Sequence, residues 1–146
     1  MQHKDMEARI RGSFARQSAM TTIGARIVSV DPGAVTIELP GADHILQQNS
    51  FIHGGVIGMI ADSACGYSAL TLMEAGNTVL TSEYKINFLS PAVGERFVAV
   101  GKVIRSGRRT AVVQGDVYAV SGETRKHVAI MLTTLMAVEK TAGMVD

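Results

Sequence analysis

The chain has 146 residues, 47% of them apolar, which suits one folded domain and excludes a disordered composition. Its formal net charge is +1, with no basic block, no acidic tail and no tryptophan. Neither a nucleic-acid surface nor an anionic membrane surface is therefore expected. A single cysteine, Cys65, cannot pair internally, and its surroundings in sequence show no metal-ligand spacing.

The first stretch, "MQHKDMEARIRGSFARQS", is too charged for a signal peptide, so a cytoplasmic location is expected. Met6, Ile10, Phe14 and Met20 fall at intervals that predict a short amphipathic helix over residues 6–20. "IGARIVSV" (23–30) and "AVTIELP" (34–40) read as strands joined at "DPG", where Pro32 and Gly33 supply turn chemistry. "GADHILQQNS" reads as a polar loop.

Residues 55–73 then carry one charged side chain, Asp62. The segment predicts a helix of about 19 residues, roughly 28 Å long. Its apolar residues surround it and alternate with Gly58, Ala61, Ala64, Gly66, Ser68 and Ala69. Such a helix is buried in a core or in a membrane. A central aspartate and four strands downstream favour the core. Small residues at that density imply close approach to a sheet, and to a twin helix on another face. Gly76 and Asn77 are expected to stop the helix in a left-handed turn. Four strands follow, over 78–89, 96–105, 110–120 and 127–138. In the third of these, Ala111, Val113, Val117 and Ala119 share one face and Gln114 and Asp116 the other. With no linker or repeat, residues 1–146 form a single domain, with a helical segment over 1–20 and a tail over 141–146.

Two readings of Asp62 remain open on these grounds. It either pairs with a neighbour or serves as a base or nucleophile tuned by burial. "HGG" at 53–55 bears on the choice. Gly54 and Gly55 stand where the helix begins, so unpaired N–H groups and the positive end of the helix dipole meet there. Glycine lets a ligand approach that backbone, which is what an oxyanion site requires. His53 is expected to hold the turn rather than to act as a base. Cys65 is expected to be a small core residue.

The order and spacing of "MTTIGARIVSV", "HGGVIGMIAD", "TSEYKINFLSPA" and "GRR" resemble the hotdog-fold acyl-CoA thioesterases, and among them the PaaI-like, phenylacetate-pathway group. The likeness extends over about residues 12 to 140. It implies an α+β hotdog fold, in which a curved antiparallel sheet wraps a long central helix. It also implies a homodimer or homotetramer with active sites between subunits. By the same resemblance Asp62 takes the position of the catalytic carboxylate and Gly54 that of the oxyanion amide, with His53 supporting the turn. Gln47 matches a polar positioner, with Asn49 as its rival, and Thr81 matches a hydroxyl that orients water. Gly66 departs from the pattern, since some relatives carry a hydroxyl there, one helical turn after the acid. Coenzyme A would be held by Asn87, Phe88, Leu89 and Ser90 and by the turn Arg105, Ser106, Gly107, Arg108 and Arg109. As part of the substrate it leaves no need for a cofactor or a metal.

The function implied is hydrolysis of acyl-CoA to a carboxylic acid and free coenzyme A. A hotdog hydratase or dehydratase and a non-catalytic acyl-CoA-binding module are the alternatives. Tyr67, Met59, Met73 and Phe51 are candidates for an acyl pocket, although apolar residues on such a helix are more often core.

Overall fold

A computed structural model describes residues 2–146. The elements in chain order are α1 (His3–Arg16), α2 (Ser18–Ile23), β1 (Arg26–Asp31), β2 (Ala34–Pro40), a 3-10 turn (Asp43–Ile45), α3 (Gly54–Leu70), β3 (Asn77–Phe88), β4 (Arg96–Ser106), β5 (Thr110–Ser121) and β6 (Thr124–Glu139). The six strands form one antiparallel sheet in the order β1-β2-β4-β5-β6-β3. The sheet curves around α3, which packs against β2 to β6. This is the hotdog architecture that the resemblance implied.

Close contact between helix and sheet is set by glycines in the strands. A Cβ on Gly101 of β4 would lie 2.4 Å from the Ala64 carbonyl oxygen, and one on Gly115 of β5 would lie 2.8 Å from Cys65 Sγ. Both distances are below contact, so only glycine admits α3 at this depth. Ser68 then ties the helix to the sheet. Its hydroxyl donates to the Ala64 carbonyl (2.7 Å) and accepts from the Val35 N–H of β2 (2.9 Å).

Several boundaries differ from expectation. The N-terminal segment is two helices, broken at Gln17, whose backbone is extended. Ile23 closes α2 rather than opening a strand, and Gly24 (φ 82°) makes the left-handed exit. The central helix has 17 residues and ends at Leu70. Gly76 is not left-handed, and Asn77 instead starts β3. Strand β6 begins at Thr124, three residues before the polar-to-apolar change at His127, because ladder bonds to β5 hold "TRK" in extended form. The turn at Gly33 (φ 77°) and the inward face of β5 are as the pattern predicts.

Candidate active site

Asp62 lies two turns into α3 and is half-buried. Its Oδ1 accepts a 2.8 Å hydrogen bond from the Thr81 hydroxyl on β3. Burial pushes the carboxyl above the ordinary aspartate range, and the Thr81 bond pulls it part of the way back. No basic side chain among the described residues pairs with it. Ser63, the next residue, donates to Gln17 Oε1 at 3.2 Å and so is turned toward the N-terminal helices. Gly66 lines the same cleft one turn on. A Cβ there would make only ordinary contacts with Val79 and Leu135, at 3.7 and 3.8 Å.

Cys65 is fully buried against Gly115, and burial drives its thiol far above the usual range, with the Asp62 and Asp116 charges adding to the effect. A thiol so placed stays protonated and inert. It is core, as expected.

The helix start is built by His53. It is the N-cap residue, and its Nδ1 accepts from the Gly55 N–H at 2.8 Å. Val56 and Ile57 donate to the His53 carbonyl. The Gly54 N–H is left without an acceptor among the described residues. His53 therefore serves one orphan donor of the helix and leaves its neighbour free. The free amide opens on a cleft of about 380 Å³ lined by Gln47, Phe51, Gly54, Phe88, Leu89 and Ser90 among others. The Phe88 ring covers Gly54 closely, since a Cβ there would meet it at 3.1 Å.

Within the loop, the Gln47 side chain accepts from the Asn49 backbone N–H, while Asn49 itself is exposed and does not line the cleft. Of the two rivals, Gln47 lines the cleft together with Gly54 and Asn49 does not. Asn87 alternates with Phe88 along β3 and so points to the opposite face of the sheet.

These groups do not form one constellation within a single chain. Gly54 and Asp62 are eight residues apart on α3, about 12 Å along the axis. Thr81, which meets Asp62, and Phe88, whose ring lies against Gly54, are separated by roughly 23 Å of strand on β3. The turn Arg105, Ser106, Gly107, Arg108 and Arg109 lies at the Thr81 end. It is closed by Gly107 N–H to the Thr110 carbonyl, and the Arg109 carbonyl accepts from Ala137 of β6. Its three arginines are exposed and have no acidic partner among the described residues. Residues 88–90 lie at the other end. The two patches assigned to coenzyme A are therefore apart in one chain.

Strand β3 is one edge of the sheet, twelve residues long, with Leu80, Tyr84 and Phe88 exposed by about half. A long apolar edge presents unpaired backbone groups that form a template for pairing with another strand. This consequence was not legible in sequence, because nothing in "TSEYKINFL" distinguishes an edge strand from a central one. Only the strand order does.

The fold is thus a hotdog sheet around a helix that carries a half-buried carboxylate and begins at a free amide. The chain belongs to the Thioesterase superfamily, whose sequence pattern it matches over residues 49–126, more than half its length. A thioesterase family protein from Silicibacter pomeroyi shares 42% identity and superimposes with a TM-score of 0.91, covering 92% of this chain and 99% of that one. The 1,4-dihydroxy-2-naphthoyl-CoA hydrolase of Listeria monocytogenes is 28% identical over 119 residues, 82% of this chain and 94% of its own. The PaaI protein of Escherichia coli shares the fold, with a TM-score of 0.84 at 20% identity, over 93% of this chain and 95% of that one. Other curated relatives are matched over less than two thirds of their length. No helix is long and apolar enough to cross a membrane among the described residues.

Proposed function

We propose that the protein hydrolyses acyl-CoA thioesters at a site shared between two copies of the chain. Asp62 acts as base or nucleophile, with Thr81 orienting it, and the Gly54 N–H receives the oxyanion. As base, Asp62 takes a proton from water while the water oxygen bonds to the thioester carbon. The carbonyl oxygen gains charge at the Gly54 amide. The C–S bond then breaks and the departing sulfur receives the proton, leaving a carboxylic acid and free coenzyme A. As nucleophile, Asp62 would form an anhydride that water opens to the same products.

The observation that carries this reading is the split between the two half-sites. A half-buried carboxylate with its hydroxyl stands at one end of an unpaired edge strand, and a free amide stands at the other. No single thioester carbonyl can touch both within one chain. A two-fold axis crossing β3 at Tyr84 or Lys85 pairs the strand with its twin and brings Thr81 within a residue or two of the partner's Phe88. The same rotation brings each arginine turn to the end of the joint sheet where the partner's Ser90 lies, about three strand spacings away. By one operation both halves of the catalytic site come together, and both coenzyme patches come to one end of the joint sheet. The guanidinium forks of Arg105, Arg108 and Arg109 suit the phosphates of the coenzyme. In this proposal the dimer pairs again through the outer face of the sheet, where Leu132, Met136 and Ile104 are exposed, to give a homotetramer.

Release of free coenzyme A from a panel of acyl-CoA thioesters tests the reaction. The wild type should release it and Asp62→Asn should not. Hydration of an unsaturated acyl chain with the thioester left intact would overturn the reading.

A further inference from the structure

The cleft that holds Asp62 has a shape the reaction itself does not require. It is about 470 Å³ and extends well beyond the carboxylate. Its floor is one side of α3, where Asp62, Gly66 and Leu70 succeed one another by single turns. One wall is α1, running the opposite way: Gln17 meets Ser63 at 3.2 Å, Ser13 meets Tyr67 at 3.2 Å, and Arg9 reaches the Met73 carbonyl at 2.9 Å. The other wall is β3, with Thr81 beside Asp62 and Val79 beside Gly66. The result is a trough leading away from the carboxylate.

Residues 145 and 146 border the trough toward the Leu70 end, where Arg9 holds them. Val145 and Asp146 both line the cleft. Arg9 grips the Asp146 carboxylate with two bonds of 2.9 Å, and Lys140 adds a third contact at 2.7 Å. Arg16 donates to the Asp146 carbonyl at 3.0 Å. Arg9 also binds the carbonyls of Met73 and Asn77, at 2.9 and 2.6 Å, so the clasp is anchored in the loop after α3 and at the start of β3. The Arg9 bonds hold the Asp146 carboxyl below its ordinary range, although its burial opposes this. Beside this clasp Val145 is 63% exposed, an apolar side chain held over an open trough.

We infer that Val145 and Asp146 form a stop for the acyl chain, so that the clasped tail sets the length of thioester the protein accepts. This rests on the thioesterase reading of Asp62. From Asp62 to Leu70 the trough runs about 12 Å, and an extended alkyl chain advances about 1.25 Å per carbon, which gives about eight to ten carbons. Each methylene seated in the trough adds roughly 4-fold in affinity, and a chain too long for the trough meets the stop and is forced out of register with Asp62, which lowers the rate.

The test is kcat/KM for straight-chain acyl-CoA from four to sixteen carbons, with wild type, a chain lacking residues 144–146, and Val145→Trp. The wild type should peak near eight to ten carbons and fall at least 10-fold by sixteen. Shortening the tail should move the peak up by two carbons or more. Val145→Trp, which keeps the clasp, should move it down, and the four-carbon substrate should change less than about 2-fold in either. An unchanged profile in both variants, with native circular dichroism, overturns the inference. Affinity for non-cleavable thioether analogues of the same lengths is measured in parallel. If no thioester is cleaved but the thioether affinities shift with the tail, the stop stands and the hydrolysis reading falls. If the analogues do not bind, the stop falls too.

Discussion

At Asp62 two effects of burial can be separated by pH. Asp62→Asn should lower turnover at least about 100-fold, a usual loss for a general base. Because burial raises the folded-state pKa, the ionised carboxylate works against folding. Below the ordinary aspartate value both states hold the proton, and the variant and the wild type should be equally stable. As pH rises from that value through the raised one, the wild type should lose stability relative to Asp62→Asn. Urea unfolding at several pH values reads this difference directly. Thr81→Val removes the bond that partly lowers the pKa, so the acidic limb of kcat/KM should move to higher pH. A loss of rate with the limb unmoved would make Thr81 a purely structural contact. Gly54 allows an equally sharp test. His53 already has the extended backbone (φ −56°, ψ 133°) that must precede proline, and the first helical position tolerates it. Gly54→Pro therefore deletes one N–H and should cost about 100- to 1,000-fold in kcat, as loss of an oxyanion donor does. Gly54→Ala adds the same Cβ against Phe88 but keeps the N–H, and should retain most of the activity.

At the scale of elements, the depth of α3 in the sheet depends on Gly101 and Gly115. Gly101→Ala would press a methyl against the Ala64 carbonyl, which is backbone and cannot rotate away. It should destabilise the fold by about 1–3 kcal/mol, as overpacking does, read as a lower urea midpoint at unchanged slope. The encircling apolar pattern of residues 55–73 made the buried helix legible in sequence, and period-two alternation did the same for β5. The helix end was less legible. Gly76 and Asn77 have the chemistry of a stop, yet Thr71 ends the helix: its hydroxyl donates to the Ser68 carbonyl and accepts from the Gly33 N–H. That contact comes from a residue 38 positions away and leaves no local signal. The break at Gln17 and the clasp of Arg9 on Asp146 were hidden for the same reason. Of the site, "HGG" and Asp62 stood out because a lone charge and paired glycines are anomalous in an apolar run. Gln47 and Thr81 are ordinary residues in their segments, and only the resemblance singled them out.

At the scale of the molecule, the proposed shared site and the β3 edge of the sheet call for the same partner, a second copy of the chain. The arginine turn gives one check on this. Arg108→Ala with Arg109→Ala should raise KM for acyl-CoA and leave kcat nearly unchanged, the pattern of lost uniform binding. A short thioester lacking the nucleotide should be much less affected, and equal effects on both would return the arginines to a solvated hairpin tip. The most direct measurement of the shared site is complementation between two inactive variants, Asp62→Asn and Gly54→Pro, refolded together with subunit exchange confirmed by mass. Random pairing leaves about half the dimers mixed, and by two-fold symmetry each mixed dimer holds one intact site and one lacking both groups. Activity should return to about a quarter of wild type. If it stays at the level of the separate variants, Asp62 and Gly54 serve one site from the same chain, and the divided site is contradicted.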